Sequence, residues 1–341
     1  MNALKPHDVG YGSDKSGLVW GYRFGPDHAP EPIDCDGALE HLVATQEMQT
    51  GTFIWLHFSL SNAASERWMR QHLSLPDSFY DSLHERVGST RLEMVEDALV
   101  AIVHDILFNA TFDSASISTV TICLKPQLLV SARLRPLRSV DRLRADVRGG
   151  HNLRSSAELL AHLLHEQAEV LSDIVRQSTL RVDAIEDSLL SGQINVSRGE
   201  LSALRRALVR LQRLLAPEPA SLFRLLNRPA AWIAREDLED LRQAAEEFSA
   251  AIGDSTALAE RLKLLQEELA AMVSEHINRS LFILTLVTVL ALPINVVAGL
   301  LGMNVGGIPL AQHSEGFLVV VSGLTVVTAI LAYFFLIKRR D

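Results

Sequence analysis

The stretch that decides the fold is a long apolar run near the C-terminus, residues 278–304, which read NRSLFILTLVTVLALPINVVAGLLGMN. No charged residue occurs between Leu281 and Leu301. A helix of this length, at about 1.5 Å per residue, crosses a hydrocarbon core of about 30 Å. The run therefore predicts a first transmembrane helix over residues 281–301.

Polar and small residues recur along one face of this helix. When Leu281 and Leu292 are included, successive members of this set are alternately three and four residues apart. We call the set the seam: Asn278, Leu281, Thr285, Thr288, Leu292, Asn295, Gly299 and Gly302. A period of 3.5 residues keeps one narrow face directed at a partner or a central axis. Because unpaired amides are costly in hydrocarbon, such a face lines a helix contact or a water-filled path. The pattern predicts that the seam lines a pore.

The residue types along this face suggest different roles. Thr288 and Asn295 would line the conduit, whereas Leu281, Leu284 and Leu292 would narrow it and gate it by dewetting. Leu284 and Thr285 are adjacent, and the spacing fits either of them as the residue that points toward the path. The alternative interpretation is that all of these side chains only pack between helices.

The end of the run carries a family resemblance. Residues 302–304 read GMN and follow an apolar helix that contains LPIN at 292–295, and a second apolar helix, predicted over 317–337, follows after a short loop. A GMN triplet in this place, in a C-terminal helix pair behind a long soluble region, resembles the CorA superfamily of divalent-cation channels and transporters. The loop sequence VGGIP at 305–309 lacks the aromatic and acidic residues usual in magnesium-transporting members and is similar to the ZntB branch, which is associated with zinc.

The resemblance implies a homopentamer with a funnel-shaped cytoplasmic domain and one pore built from five first membrane helices. It implies zinc transport across the cytoplasmic (inner) membrane, with magnesium, cobalt or nickel as the alternative cargo. The partners would be further copies of the chain, lipid and the transported cation, and no other cofactor is expected. An alternative of another class is a membrane-anchored metal sensor or scaffold, although a simple tether needs no polar seam.

The residues that would select the ion lie at the outer end of the first helix. Copies of Asn304 around one axis would form a ring of amide oxygens that holds a cation through its water shell. Gly302, next to Met303, would let the backbones approach closely, although the triplet also suits a plain helix C-cap. In the loop over residues 302–316, His313 and Glu315 are candidate metal ligands because imidazole suits zinc.

Two further sets of residues have metal-binding potential in the soluble region. Four side chains share a helical face at spacings of three and four residues that would suit a metal: His162, His165, Glu166 and Glu169. Glu260 and Glu267 fall on the continuation of the seam toward the soluble region and would form acidic rings around an axis. For both sets, an exposed polar helix face is the alternative interpretation.

Composition excludes several other classes of protein. The 341 residues carry a formal net charge of −9, which argues against a nucleic-acid partner. Cys35 and Cys123 are far apart, which argues against a disulfide scaffold or a cysteine zinc site. The first ten residues lack an apolar segment, so we expect no cleaved signal peptide. No glycine-rich phosphate loop and no GxSxG motif occurs, so no enzyme is predicted.

The first 150 residues predict a cytoplasmic α+β domain with a mixed sheet. Apolar or alternating segments bounded by Gly, Pro and Asp indicate strands over 18–24 and 52–59, a strand pair within 92–108, and a hairpin formed by 119–124 and 128–132. Helices are predicted over 38–49 and 64–73, between strands.

Long helices follow. A helix over 155–190 and a second one that ends at Pro217 predict a helical hairpin within residues 151–235. Residues 236–280 predict a stalk helix that continues into the pore, about 100 Å in all at about 1.5 Å per residue. Its apolar residues have near-heptad spacing, which predicts subunit or helix contacts along a face that includes Leu262.

Basic residues predict the topology. Arg279 precedes the first membrane helix and a basic tail, residues 338–341, follows the second. The loop between the two helices contains no Lys or Arg. Because basic residues concentrate in cytoplasmic segments, both termini are predicted to be cytoplasmic and the loop external.

Overall fold

The computed structural model describes residues 12–26, 28–47, 51–84, 90–107, 117–191, 198–303 and 314–338. The chain divides into two compact units, residues 1–266 and residues 267–341.

The first unit contains a seven-stranded mixed sheet. Its strands are β1 (Leu18–Gly25), β2 (His28–Ile33), β3 (Phe53–Ser59), β4 (Arg91–Val95), β5 (Ala98–Ile106), β6 (Ile117–Lys125) and β7 (Leu128–Arg133). They lie in the order β2-β1-β3-β7-β6-β5-β4. The β3–β7 pair is parallel and the other pairs are antiparallel, so the predicted mixed sheet is confirmed.

Helices cover both faces of this sheet. Successive side chains of a strand point to opposite faces, so Ile54, Leu56 and Phe58 of β3 pack on one side. That side is covered by α1 (Cys35–Glu47), α2 (Ala64–His72) and α3 (Asp77–His84). Phe53 and Trp55 pack on the other side, which is covered by α4 (Arg138–Arg148) and by the long helices that follow.

The sequence predicted β1, β3, the β4–β5 pair, the β6–β7 hairpin, α1 and α2, and the structure confirms these elements. It missed β2, which contains two prolines and pairs only with β1 at the edge of the sheet, where a strand tolerates proline. It also missed α3 and α4, which are short and carry few apolar residues.

Three helices occupy the segment predicted as a helical hairpin: α5 (Ser156–Leu190), α6 (Arg198–Leu215) and α7 (Pro217–Leu226). The side chain of Ser155 accepts a hydrogen bond from the backbone nitrogen of Glu158 at 2.9 Å and caps α5. The sequence predicted that the second helix would end at Pro217, and α6 does end at Leu215. It did not predict α7, which begins at Pro217 because proline is tolerated in the first turn of a helix.

Helix α8 (Arg235–Leu301) continues without interruption for 67 residues, as the sequence predicted. The near-heptad face, however, contacts the same subunit. Leu241, Phe248 and Leu262 are fully buried inside the single chain, and Leu241 belongs to the core formed with α5 and α7. The sequence predicted subunit or helix contacts along this face, and Leu262 makes contacts within its own subunit, so we no longer expect it to support assembly.

The second unit contains the end of α8 and α9 (Gly316–Lys338). Within the described residues, these two helices are long and apolar enough to cross a membrane. The second span was predicted over residues 317–337, within one residue of the observed helix at each end.

Candidate functional site

The seam is exposed in the single chain. Leu281 and Leu292 are 55% and 60% exposed, and every other seam residue is also exposed. Leu284, the competing inward residue, is 64% exposed. The half-buried residues of this segment include Leu286, Val289 and Pro293, each of which follows a seam residue and lies about 100° further around the helix. The chain thus leaves uncovered the face that the sequence assigns to the pore.

The seam threonines make hydrogen bonds inside their own helix. Thr285 Oγ1 donates to the carbonyl of Leu281 at 2.8 Å, and Thr288 Oγ1 donates to the carbonyl of Leu284 at 2.8 Å. A hydroxyl whose hydrogen is used in this way retains lone pairs that accept hydrogen bonds or face a cation. These two side chains therefore present oxygen acceptors, the group that hard divalent cations and their water shells prefer.

The glycines at the outer end of α8 have different surroundings. A Cβ atom added at Gly299 would meet open space, so no contact within the described chain requires glycine there. A Cβ added at Gly302 would lie 3.1 Å from the carbonyl oxygen of Ala298, where the last turn of the helix closes. The absence of a side chain at Gly299 leaves room for a neighbouring backbone to approach closely.

The entrance motif is only partly described. Gly302 donates its backbone hydrogen to the carbonyl of Ala298 at 2.9 Å, and the exposed Met303 follows it. Asn304 and His313 lie outside the described residues. Glu315 is exposed immediately before α9, where a carboxylate also interacts favourably with the helix N-terminus, so its position does not require a metal.

The structure does not assemble the cytoplasmic metal cluster. His165 pairs with Glu247 of α8 at 2.5 Å, and the ring of His162 lies 4.8 Å from that of His151. Burial and the nearby His151 lower the pKa of His162. Burial raises the pKa of Glu166, whereas Glu169 is exposed. Across the described ranges, no three His, Cys, Asp or Glu side chains are placed to hold a metal ion.

The acidic residues on the continuation of the seam are exposed to solvent. Glu260 lies 3.8 Å from Lys263, and Glu267 is exposed. These are the surroundings of a solvated helix face, and the acidic rings stay a prediction.

A buried polar cluster was not predicted from the sequence. Beyond the end of the β4–β5 pairing, the backbone nitrogen of His104 donates to Glu218 Oε1 at 2.6 Å, and Gln167 Nε2 donates to the carbonyl of His104 at 2.8 Å. Thr90 Oγ1 also donates to Glu218 Oε1, at 3.2 Å. Burial raises the pKa of Glu218. These contacts fasten α5 and α7 to the sheet, and the only sequence signal was an acidic residue between two prolines.

Comparison with known proteins places these features in context. A family model described as "CorA-like Mg2+ transporter protein" matches residues 50–339. The "Divalent cation transporter CmaX" of Pseudomonas aeruginosa is 24% identical over 306 residues, which is 89% of this chain and 91% of that protein. The "Zinc transport protein ZntB" of Pectobacterium atrosepticum is 26% identical over 263 residues, 77% of this chain and 80% of that protein.

A solved structure described as that of the full-length CmaX protein superimposes with a TM-score of 0.80. It has 23% sequence identity and covers 95% of this chain and 99% of its own. At this identity the likeness establishes the fold.

Proposed function

Because the chain belongs to the family of CorA-like Mg²⁺ transporter proteins, whose model covers residues 50–339, we propose that its cargo is zinc and that the seam lines the path. The protein is a divalent-cation transporter of the membrane and not an enzyme. Its identity to individual relatives is low, so the proposed path residues rest on this chain's own sequence and geometry.

The observation that carries the pore assignment is the exposure of the seam. Its polar side chains are uncovered over a segment that crosses hydrocarbon. The threonine hydroxyls donate to carbonyls of their own helix, whereas the Asn295 amide needs hydrogen-bond partners from water or from another helix. Copies of α8 around an axis would supply both, with Thr288 and Asn295 facing the water and Gly299 allowing close approach. A single helix cannot enclose a path, and the family resemblance implies that five copies of α8 do so.

Zinc is favoured over magnesium by the loop and by the relatives. Residues 305–309 lack the acidic and aromatic residues usual in magnesium-transporting members. One matched relative bears the name of a zinc transport protein. In this proposal the Asn304 ring binds the hydrated ion and selects it. His313 and Glu315 raise the local concentration of zinc, because imidazole is a better ligand for zinc than for magnesium. Magnesium, which the family description names, is the second candidate.

Uptake into vesicles that contain the purified protein tests the choice of ion. Wild-type protein should take up zinc faster than magnesium at equal concentration. The double variant His313→Ala, Glu315→Gln should lower zinc uptake at low concentration more than at saturation, because it removes ligands that concentrate the ion without changing the pore. Equal uptake of both ions by the wild type would contradict zinc as the cargo.

Asn304→Ala tests the entrance ring. The substitution removes one amide from each subunit, and a hydrogen bond to a charged partner contributes about 1.5–3 kcal/mol. Flux of the preferred ion should fall by at least about tenfold, since a loss of 1.4 kcal/mol already corresponds to that factor. The variant should keep the wild-type oligomeric mass in detergent. Unchanged zinc flux would remove Asn304 from the selectivity site.

A further inference from the structure

Helix α6 is strongly basic in an acidic protein. It carries five arginines and one glutamate in 18 residues, whereas the whole chain has a formal net charge of −9. Four of these arginines line an open groove against α8 with a volume of about 430 Å³. We call it the basic groove, lined by Arg205, Arg206, Arg210 and Arg213 together with Ser202 and Gln266.

The arginines of the basic groove lack the carboxylate partners that some other helix arginines have. Arg142 and Arg176 both lie 2.8 Å from a carboxylate oxygen of Asp173, and Arg261 lies 2.7 Å from Asp183. Over the residues that the structure describes, the four arginines of the groove form no ion pair with a carboxylate. Four like charges within about 12 Å of helix repel one another, and a bound anion would remove that repulsion.

The contact from α8 keeps the groove positively charged. Gln266 Oε1 accepts a hydrogen bond from Arg205 Nη1 at 3.3 Å, and Gln266 Nε2 donates to Ser202 Oγ at 3.2 Å. This neutral amide holds Arg205 at the groove wall without neutralising its charge. The other three guanidinium groups are exposed and have their donors available for a ligand.

The number and spacing of the arginines indicate the ligand. Guanidinium groups pair with carboxylate or phosphate through two parallel hydrogen bonds. A single carboxylate would neutralise only one of the four charges, whereas a compound with several phosphate groups contacts guanidinium groups on successive turns. A volume of about 430 Å³ is within the range of small-molecule pockets, roughly 300–1,000 Å³.

We propose that the basic groove binds a compound with several phosphate groups, either a soluble polyphosphate such as a nucleoside triphosphate or the phosphate headgroups of anionic lipid. The site is concave and lies between two helices of one subunit. This favours a small anion over the flat acidic surface of a second copy.

Calorimetric titration of the full-length protein tests the proposal. Inorganic triphosphate is titrated into protein in phosphatidylcholine nanodiscs, and binding should be saturable and weaken as salt is raised. The triple variant Arg206→Gln, Arg210→Gln, Arg213→Gln should lose at least about tenfold in affinity, because it removes three of the four charges that would pair with phosphate. A matched triple variant of exposed arginines outside the groove, Arg176→Gln, Arg228→Gln, Arg242→Gln, should keep the wild-type affinity.

A second variant leaves every arginine in place. Gln266→Glu would put a carboxylate beside Arg205, so the triphosphate affinity should fall, whereas Gln266→Leu should retain most of it. If nanodiscs with phosphatidylglycerol weaken triphosphate binding to the wild type, lipid headgroups occupy the same site, and the phosphate chemistry stands.

Two results would overturn the proposal. One is the same affinity for triphosphate in the wild type and in the groove triple variant. The other is the absence of saturable triphosphate binding to the wild type. If the triple variant then also had a lower oligomeric mass, the groove would be a contact between copies of the chain. Both measurements are independent of ion flux, so they stand apart from the choice of cargo.

Discussion

At the scale of single residues, Asp105 at the end of β5 fixes the start of α4. Its Oδ2 accepts hydrogen bonds from the backbone nitrogen and the hydroxyl of Ser139, at 3.1 and 2.5 Å, and its Oδ1 accepts from the backbone nitrogen of Ile106 at 2.6 Å. Burial nevertheless raises the pKa of Asp105 to about 6, because the loss of hydration outweighs these hydrogen bonds.

This pKa predicts a pH dependence of stability. Between the ordinary pKa of about 3.9 and the folded value of about 6, the native state binds a proton that the unfolded state has released. The stability contributed by the proton is therefore complete below about pH 4 and is lost as the pH rises to about 6. Asp105→Asn should remove this loss, and its unfolding free energy relative to wild type should rise by up to about 3 kcal/mol over that window.

Thermal or urea unfolding of both proteins in detergent between pH 4 and 7 measures this difference. Other carboxylates titrate in the same way in both proteins, so their contributions cancel. A difference that does not vary with pH would show that Asp105 is ionised in the folded protein throughout.

At the scale of elements, one face of α8 is buried within the subunit and another is exposed. In the first unit its near-heptad face is buried, with Leu241 in the core that contains α5 and α7, whereas Leu264, on the continuation of the seam, is 64% exposed. The sequence placed this helix correctly because an apolar period of three and four residues is a strong signal. It did not reveal which apolar face meets a second copy, because packing within a subunit and packing between subunits require the same residue types.

Leu262 and Leu264 form a matched pair that tests this assignment. Leu262 is fully buried, so Leu262→Ala should lower the free energy of unfolding by about 2–5 kcal/mol. Leu264→Ala should change the stability of the subunit by less than about 0.5 kcal/mol, as is usual for exposed sites. Urea unfolding of the detergent-solubilised protein provides both values. Equal losses for the two variants would mean that the faces of α8 are assigned incorrectly.

The sequence predicted the candidate pore residues but not the polar sites of the first unit. The seam could be found because its spacing and its polar residues stand out against an uncharged apolar run. The basic groove could not, because α6 alone shows only an exposed charged face, and the significance of its arginines depends on a neutral contact from Gln266, 61 residues further along the chain than Arg205. The buried cluster around Glu218 was missed for the same reason, since its partners are distant in sequence.

At the scale of the whole molecule, the distribution of basic residues bears on orientation. Arg279 and the basic tail flank the two candidate spans, and the loop between them has no Lys or Arg. We expect both termini in the cytoplasm, where basic segments are retained. This orientation would place the GMN motif outside and the long soluble region inside.

Cysteine labelling in intact cells tests the orientation. A cysteine at Gly307 should react with a membrane-impermeant thiol reagent, whereas a cysteine at Arg340 should react only after the cells are opened. The native Cys35 and Cys123 are buried, which keeps the background low. The reverse pattern would contradict the proposed topology.

The central claim is that the seam of α8 faces the ion path, and a cysteine block of ion flux tests it most directly. Single cysteines replace Thr288 and Asn295 on the seam, or Val289 and Leu290 on the half-buried side, and zinc uptake into vesicles is measured before and after addition of a small cationic thiol reagent. We expect the reagent to block flux in the two seam variants and to leave the other two unchanged. Block at Val289 and Leu290 without block at Thr288 and Asn295 would contradict the claim.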